Sequence, residues 1–84
     1  MFELFSTPRF IKELKKLQKE EISRISEKLE LTLNEPLLFF EKLEGMALYK
    51  LRIGKFRVIA AVNFNQRKII CVSVGLRKNV YRRL

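Results

Sequence analysis

Apolar residues recur at helical spacing through the first third of the chain and at strand spacing through its second half. Phe10, Ile11, Leu14 and Leu17 form one helical stripe, and Ile22, Ile25, Leu29 and Leu33 form another. The step from Leu17 to Ile22 is out of phase with a 3.6-residue period, and Gln18 stands where an apolar residue would extend the first stripe. This pattern predicts a helical hairpin turning near Lys19–Glu21. One long helix is the alternative, because no Gly or Pro marks the turn. Residues 2–6 predict a short strand before it, and Thr7-Pro8 a helix start. Thr7 would be the N-cap and Pro8 the first helical residue, where a missing N–H costs nothing. Asn34-Glu35-Pro36 closes the second helix, since the residue before proline is pushed out of the helical region. Leu37-Leu38-Phe39-Phe40 is a dense apolar connector, read either as a plug for one end of the core or as a partner-binding patch.

Residues 47–53, 56–63 and 69–76 alternate or are β-branched, and predict three antiparallel strands. Ile53-Gly54-Lys55-Phe56 has the glycine of a two-residue type II′ turn. That turn sets a register in which Ile53 faces Phe56, Arg52 faces Arg57, Leu51 faces Val58, Lys50 faces Ile59 and Tyr49 faces Ala60. One face then carries Ala47, Tyr49, Leu51, Ile53, Phe56, Val58, Ala60 and Val62, ready to pack on the helices. The other carries Leu48, Lys50, Arg52, Arg57, Ile59 and Ala61. On the third strand, hydrophobicity favours Ile70, Val72, Val74 and Leu76 for the core, which puts Ile69, Cys71, Ser73, Gly75 and Arg77 beside the cations. The fold class is α+β, as one domain over residues 1–84: an N-terminal strand, a helical hairpin, then a three-stranded antiparallel meander with the helices on one face.

Charge is more informative than overall composition. Residues 1–45 hold eight Lys/Arg and all nine carboxylates, whereas residues 46–84 hold ten Lys/Arg and no acid. The formal net charge of +9 is therefore a localised field, which an anionic partner would relieve. Nucleic acid is the first expectation, an acidic protein the second and a membrane surface the third, because the cations alternate at strand spacing. The absence of His and the single cysteine, Cys71, argue against a metal site and exclude an intrachain disulfide, which suits a reducing cytoplasm. No apolar run approaches the roughly 20 residues that span a bilayer.

Arg52 opposite Arg57 is a destabilising like-charge pair, and Lys50 and Arg77 add two more cations to that face. Such convergence points to an anion-binding surface, with phosphodiester the natural ligand for arginine. Lys55, Lys78, Arg82 and Arg83 are further candidates for holding RNA backbone. Tyr81 either caps the edge of the core or offers a platform for a nucleobase. A ribonuclease ordinarily uses His or Glu to move protons, and this half of the chain has neither. What remains is electrostatic stabilisation of the transition state, with Lys50 a conceivable base because the neighbouring guanidiniums disfavour its ammonium form. Such a site would be a weak free nuclease. It would need its substrate bent into in-line geometry from outside.

Lys42-Leu43-Glu44-Gly45, Tyr49-Lys50-Leu51-Arg52, Phe56-Arg57-Val58-Ile59 and Ser73-Val74-Gly75-Leu76-Arg77, followed by Tyr81, resemble the RelE/ParE toxin superfamily, RelE more than ParE. The resemblance covers most of the chain. It implies a ribosome-dependent mRNA endonuclease that acts in the ribosomal A site, needs no cofactor and is neutralised by a RelB-like antitoxin. The ribosome, through its rRNA, and the mRNA would then be partners, in the cytoplasm. The family's catalytic cations match Lys50, Arg57 and Arg77, and its stacking tyrosine matches Tyr81. Arg52 stands where the family has a second lysine, which keeps the charge and removes a possible base. Arg77 and Tyr81 are closer together than in the best-known members. The alternatives are a ParE-like DNA gyrase inhibitor that cuts nothing and an inactive RNA-binding relative.

Overall fold

A computed structural model of the chain describes residues 1–77. A short strand, β1 (Glu3–Ser6), leads into helix α1 (Pro8–Leu14), and the Thr7 side chain accepts a hydrogen bond from Phe10 N at 3.1 Å. The hairpin is the right choice over one long helix, but it turns earlier than the stripes suggest. Residues 15–18 make the turn, and Gln18 precedes helix α2 (Lys19–Leu31). The reason is a capping contact: Gln18 N donates to Glu21 Oε1 at 3.0 Å, so Glu21 lies inside the helix and not in the turn. Helix α2 also stops before Asn34. Its end is set at buried Thr32, whose hydroxyl donates to Leu29 O, while Pro36 opens a separate single 3-10 turn (Pro36–Leu38).

Strands β2 (Glu41–Lys42), β3 (Tyr49–Ile53), β4 (Phe56–Asn63) and β5 (Lys68–Leu76) complete a five-stranded sheet in the order β1-β5-β4-β3-β2. The meander is antiparallel, as the sequence predicts, and β1 joins β5 in parallel. Every predicted pair of the β3–β4 hairpin is present, from Ile53 with Phe56 to Tyr49 with Ala60. Gly54 takes a positive φ of 56°, the left-handed conformation the tight turn requires. Leu51, Ile53, Phe56, Val58 and Ala60 pack against Phe10, Ile25 and Leu29 of the helices. Ala47 falls before β3 and is exposed.

The predicted faces of β5 hold at Ser73 and Val74, whereas Leu76, expected in the core, is exposed at the end of the strand. Val58 pairs with Val74 and Ile59 with Ser73, but Ala60 pairs with Cys71, so the register shifts by one residue at Val72. A bulge of this kind turns the preceding residues over. Ile69 and Cys71 therefore join the helix-facing core, and Ile70 and Val72 are only partly buried. Burial pushes the Cys71 thiol up from 9.0 to about 12. A raised value in the folded state means that this group contributes stability below pH 9, lost as pH rises towards 12. Cys71 should resist iodoacetamide at pH 8.5 in the folded protein and react within minutes in denaturant. Equal alkylation rates in the two states, read by mass spectrometry, would contradict its burial.

The apolar connector divides its labour. Phe40 is buried and Phe39 packs on the core, whereas Leu37 and Leu38 face solvent with 65% and 73% of their surface exposed. The chain then wraps the β2 edge, and Leu43 and Leu48 close over Ile59 on the sheet face away from the helices.

Candidate functional site

Arg57 is the centre of the cationic face. It sits in β4 directly opposite Arg52 of β3 on one side and Gly75 of β5 on the other. Gly75 brings no side chain to that neighbouring position. Arg57 retains only 9% of its surface, so its guanidinium works in a partly desolvated setting where its field is stronger than in water. Arg52, by contrast, is exposed.

Two hollows meet at Arg57. One, of about 480 Å³, is open and lined by Lys55, Arg57, Leu76 and Arg77. Arg77 reaches it because its backbone N donates to Lys55 O at 3.0 Å, tying the end of β5 to the β3–β4 turn. The other, of about 200 Å³, brings Lys50, Arg52 and Arg57 together with Lys28, Phe39 and Glu41. Arg57 lines both, and thus links Lys50 and Arg52 in one hollow to Arg77 in the other. Lys78, Tyr81, Arg82 and Arg83 lie outside the described residues.

The face is not free of acid. Strand β2 pairs Glu41 with Lys50, and the Glu41 carboxylate lies 3.8 Å from Lys50 Nζ. An opposite charge therefore stands beside the lysine that the sequence places only among guanidiniums. Lys55, expected among the RNA contacts, has its ammonium 3.6 Å from Glu21 Oε2 and 5.5 Å from the Phe56 ring centre. Two site residues escape a reading of the sequence: Glu41, nine residues before Lys50, and Lys28, on the opposite half of the chain. The signal for Glu41 was Gly45, whose positive φ of 74° helps fold the β2–β3 connection back on itself. Nothing in the sequence marked Lys28. It comes in because the aromatic connector packs beneath α2 and sets the Phe39 ring 5.1 Å from Lys28 Nζ.

No protein-family model matches the sequence, and no curated protein matches it. Solved structures do. The RelBE toxin–antitoxin complex of Escherichia coli contains a chain 26% identical to this one, with a TM-score of 0.79 over 90% of this chain and 96% of that one. The archaeal RelE–RelB complex of Pyrococcus horikoshii contains a chain 28% identical, with a TM-score of 0.79 over 93% of this chain and 97% of that one. A RelBE complex of Mycobacterium tuberculosis shares the fold at a TM-score of 0.81, with 18% identity over 90% of this chain and 98% of that one. The fold defines a toxin class, that of the RelE chains in these complexes. Within it, the chain is a RelE-like toxin.

Proposed function

We propose that this toxin is the RNA-cleaving member of a toxin–antitoxin pair, cutting mRNA in the ribosomal A site. The observation that carries the proposal is Arg57, nearly buried and shared by the two cationic hollows. A phosphodiester seated on Arg57 has Lys50 and Arg52 on one side and Arg77 on the other. In the reaction the 2′-oxygen bonds to phosphorus and the bond from phosphorus to the 5′-oxygen breaks. The products are a 2′,3′-cyclic phosphate and a free 5′-hydroxyl. Negative charge builds on the phosphoryl oxygens in between, and the guanidiniums of Arg57 and Arg77 stabilise it. Arg52 adds to the field.

Two proton transfers remain, and the Glu41–Lys50 pair is suited to the first. Its carboxylate accepts the 2′-hydroxyl proton, and its ammonium holds the neighbouring phosphate. The second proton reaches the leaving 5′-oxygen from water, while Arg77, across the site, would stabilise the charge building on that oxygen. Tyr81 would orient a base, and Lys55, Lys78, Arg82 and Arg83 would hold flanking RNA. The RelB chains that accompany the similar toxins suggest the regulator: a RelB-like antitoxin covering the cations. The chain requires no cofactor for this chemistry. Among the described residues no helix is long and apolar enough to cross a membrane.

The test is a translation reaction with purified protein, read by primer extension on the mRNA. Cleavage that needs ribosomes is the expected result. Intact mRNA together with a fall in gyrase supercoiling would replace this reading with the gyrase-inhibitor one, and no effect on either would indicate an inactive relative. Glu41→Gln should slow single-turnover cleavage by about 10²-fold with little change in ribosome binding, as loss of a general base does. An unchanged rate would remove Glu41 from the proton path.

A further inference from the structure

Beside the central site, α2 and the β3–β4 turn enclose a groove of about 310 Å³ that no step of the cleavage reaction uses. It is lined by Arg24, Lys28 and Arg52, with Glu27 the one carboxylate and Leu31 an exposed apolar wall. Arg24 and Lys28 are four residues apart on α2, beside the buried positions Ile25 and Leu29, so both point along the helix flank toward β3. Like charges at this spacing destabilise a helix. Glu27 offers a nearby partner, yet among the described residues neither Arg24, Lys28 nor Arg52 forms an ion pair. Gly54 contributes as well. Arg24 Nη1 lies 3.6 Å from where a Cβ at Gly54 would sit, an ordinary contact distance, so the guanidinium rests against the hairpin turn.

The groove is continuous with the central site. Lys28 and Arg52 line both, so the same two side chains form the divide between them. We propose that this groove is a second phosphodiester-binding site, which takes the backbone of the same RNA strand after it passes Arg52. The proposal rests on the RNA reading of the central site and extends the path along α2. Arg24 and Lys28 grip phosphate, and Leu31, with Leu38 on the rim of the neighbouring hollow, offers apolar surface to sugar or base. Carriage of one strand, and not of a separate nucleic acid, follows from the shared wall.

The experiment compares single-stranded RNAs of about 4 and about 12 nucleotides by fluorescence anisotropy across a salt series. Arg24→Ala, which touches the groove on α2 and not the central hollow, should weaken the longer RNA about 3- to 5-fold and flatten its salt slope by about 0.7, the value for one lost phosphate contact on a single strand. The shorter RNA should bind as before. Arg24→Lys should restore the longer RNA. The exposed position of Arg24 keeps folding intact, as thermal unfolding checks. Equal loss for both lengths, or no loss for the longer one, overturns the second groove. Arg57→Ala separates the two readings. If it weakens the short RNA while the α2 variant changes nothing, only the groove on α2 is wrong. If it leaves the short RNA unaffected, the central reading falls and this one falls with it.

Discussion

Arg57→Ala should lower ribosome-dependent cleavage by a factor of about 10²–10³, the loss expected when one preorganised charge donor is removed from a phosphoryl transition state. Three features of the site support so large an effect. Arg57 is the member shared by both hollows, it is nearly buried, and the Arg52 charge opposite it repels it in the absence of a ligand. Removing Arg57 relieves the cross-strand repulsion but gives up the packing of its buried stem and its other contacts, so thermal unfolding is read beside the rate. A lost rate with the melting transition kept separates activity from folding. Arg57→Lys keeps the charge without the two-pronged geometry that matches phosphate, so it should recover only part of the rate. Single-turnover cleavage of programmed ribosomes gives the number. A rate within twofold of the parent would show that charge at Arg57 is not what stabilises the transition state.

The hairpin that presents Arg57 was fully legible. Gly54 and alternating hydrophobicity fix every pair of β3 with β4, because a two-residue turn leaves no freedom in register. Other features were out of reach for definite reasons. The helix break was visible as a phase slip, but its position depended on Gln18 and Glu21, and glutamine is a weak cap signal beside Ser, Thr or Asp. The bulge at Val72 was invisible because Ile69 and Ile70 are equally apolar, and so are Val72 and Val74. Hydrophobicity alone cannot choose between the faces of such a strand.

The carboxylate asymmetry also misled in one respect. Counted along the chain, the second half has no acid; counted in space, Glu41 faces Lys50 across β2 and β3, and Glu21 reaches Lys55 from α2. Linear charge segregation foretold a cationic surface without foretelling which acids the fold would return to it. That return matters chemically, since it sets a carboxylate, a group able to accept a proton, beside Lys50.

A third acid that the sequence left without a role, Glu13, should prove the most sensitive polar position for stability. Strand β1 pairs with β5 only as far as Ser6 opposite Cys71, because Thr7-Pro8 turns the chain into α1. Beyond that point no strand among the described residues borders the outer edge of β5, and side chains of the helix unit complete it. Thr7 Oγ1 donates to Val72 O at 3.1 Å. Glu13 Oε1 accepts from Ser73 Oγ at 2.8 Å and from Val74 N at 3.1 Å. Both of the Glu13 bonds are buried. Glu13→Ala strands two buried donors, each costing about 1–3 kcal/mol, so the variant should lose about 2–4 kcal/mol. For a domain of this size 1 kcal/mol moves the melting temperature by about 4–8 °C, so the midpoint should fall by about 10–25 °C. Glu13→Gln keeps an oxygen for both donors and gives up only the charge, so it should cost about half as much or less. Ser73→Ala in the Glu13→Ala background should recover stability, since it removes one of the stranded donors. Urea titrations of the four proteins decide it. A Glu13→Ala midpoint indistinguishable from the parent would mean that water replaces the carboxylate at the β5 edge, and that the edge does not need α1 to close it.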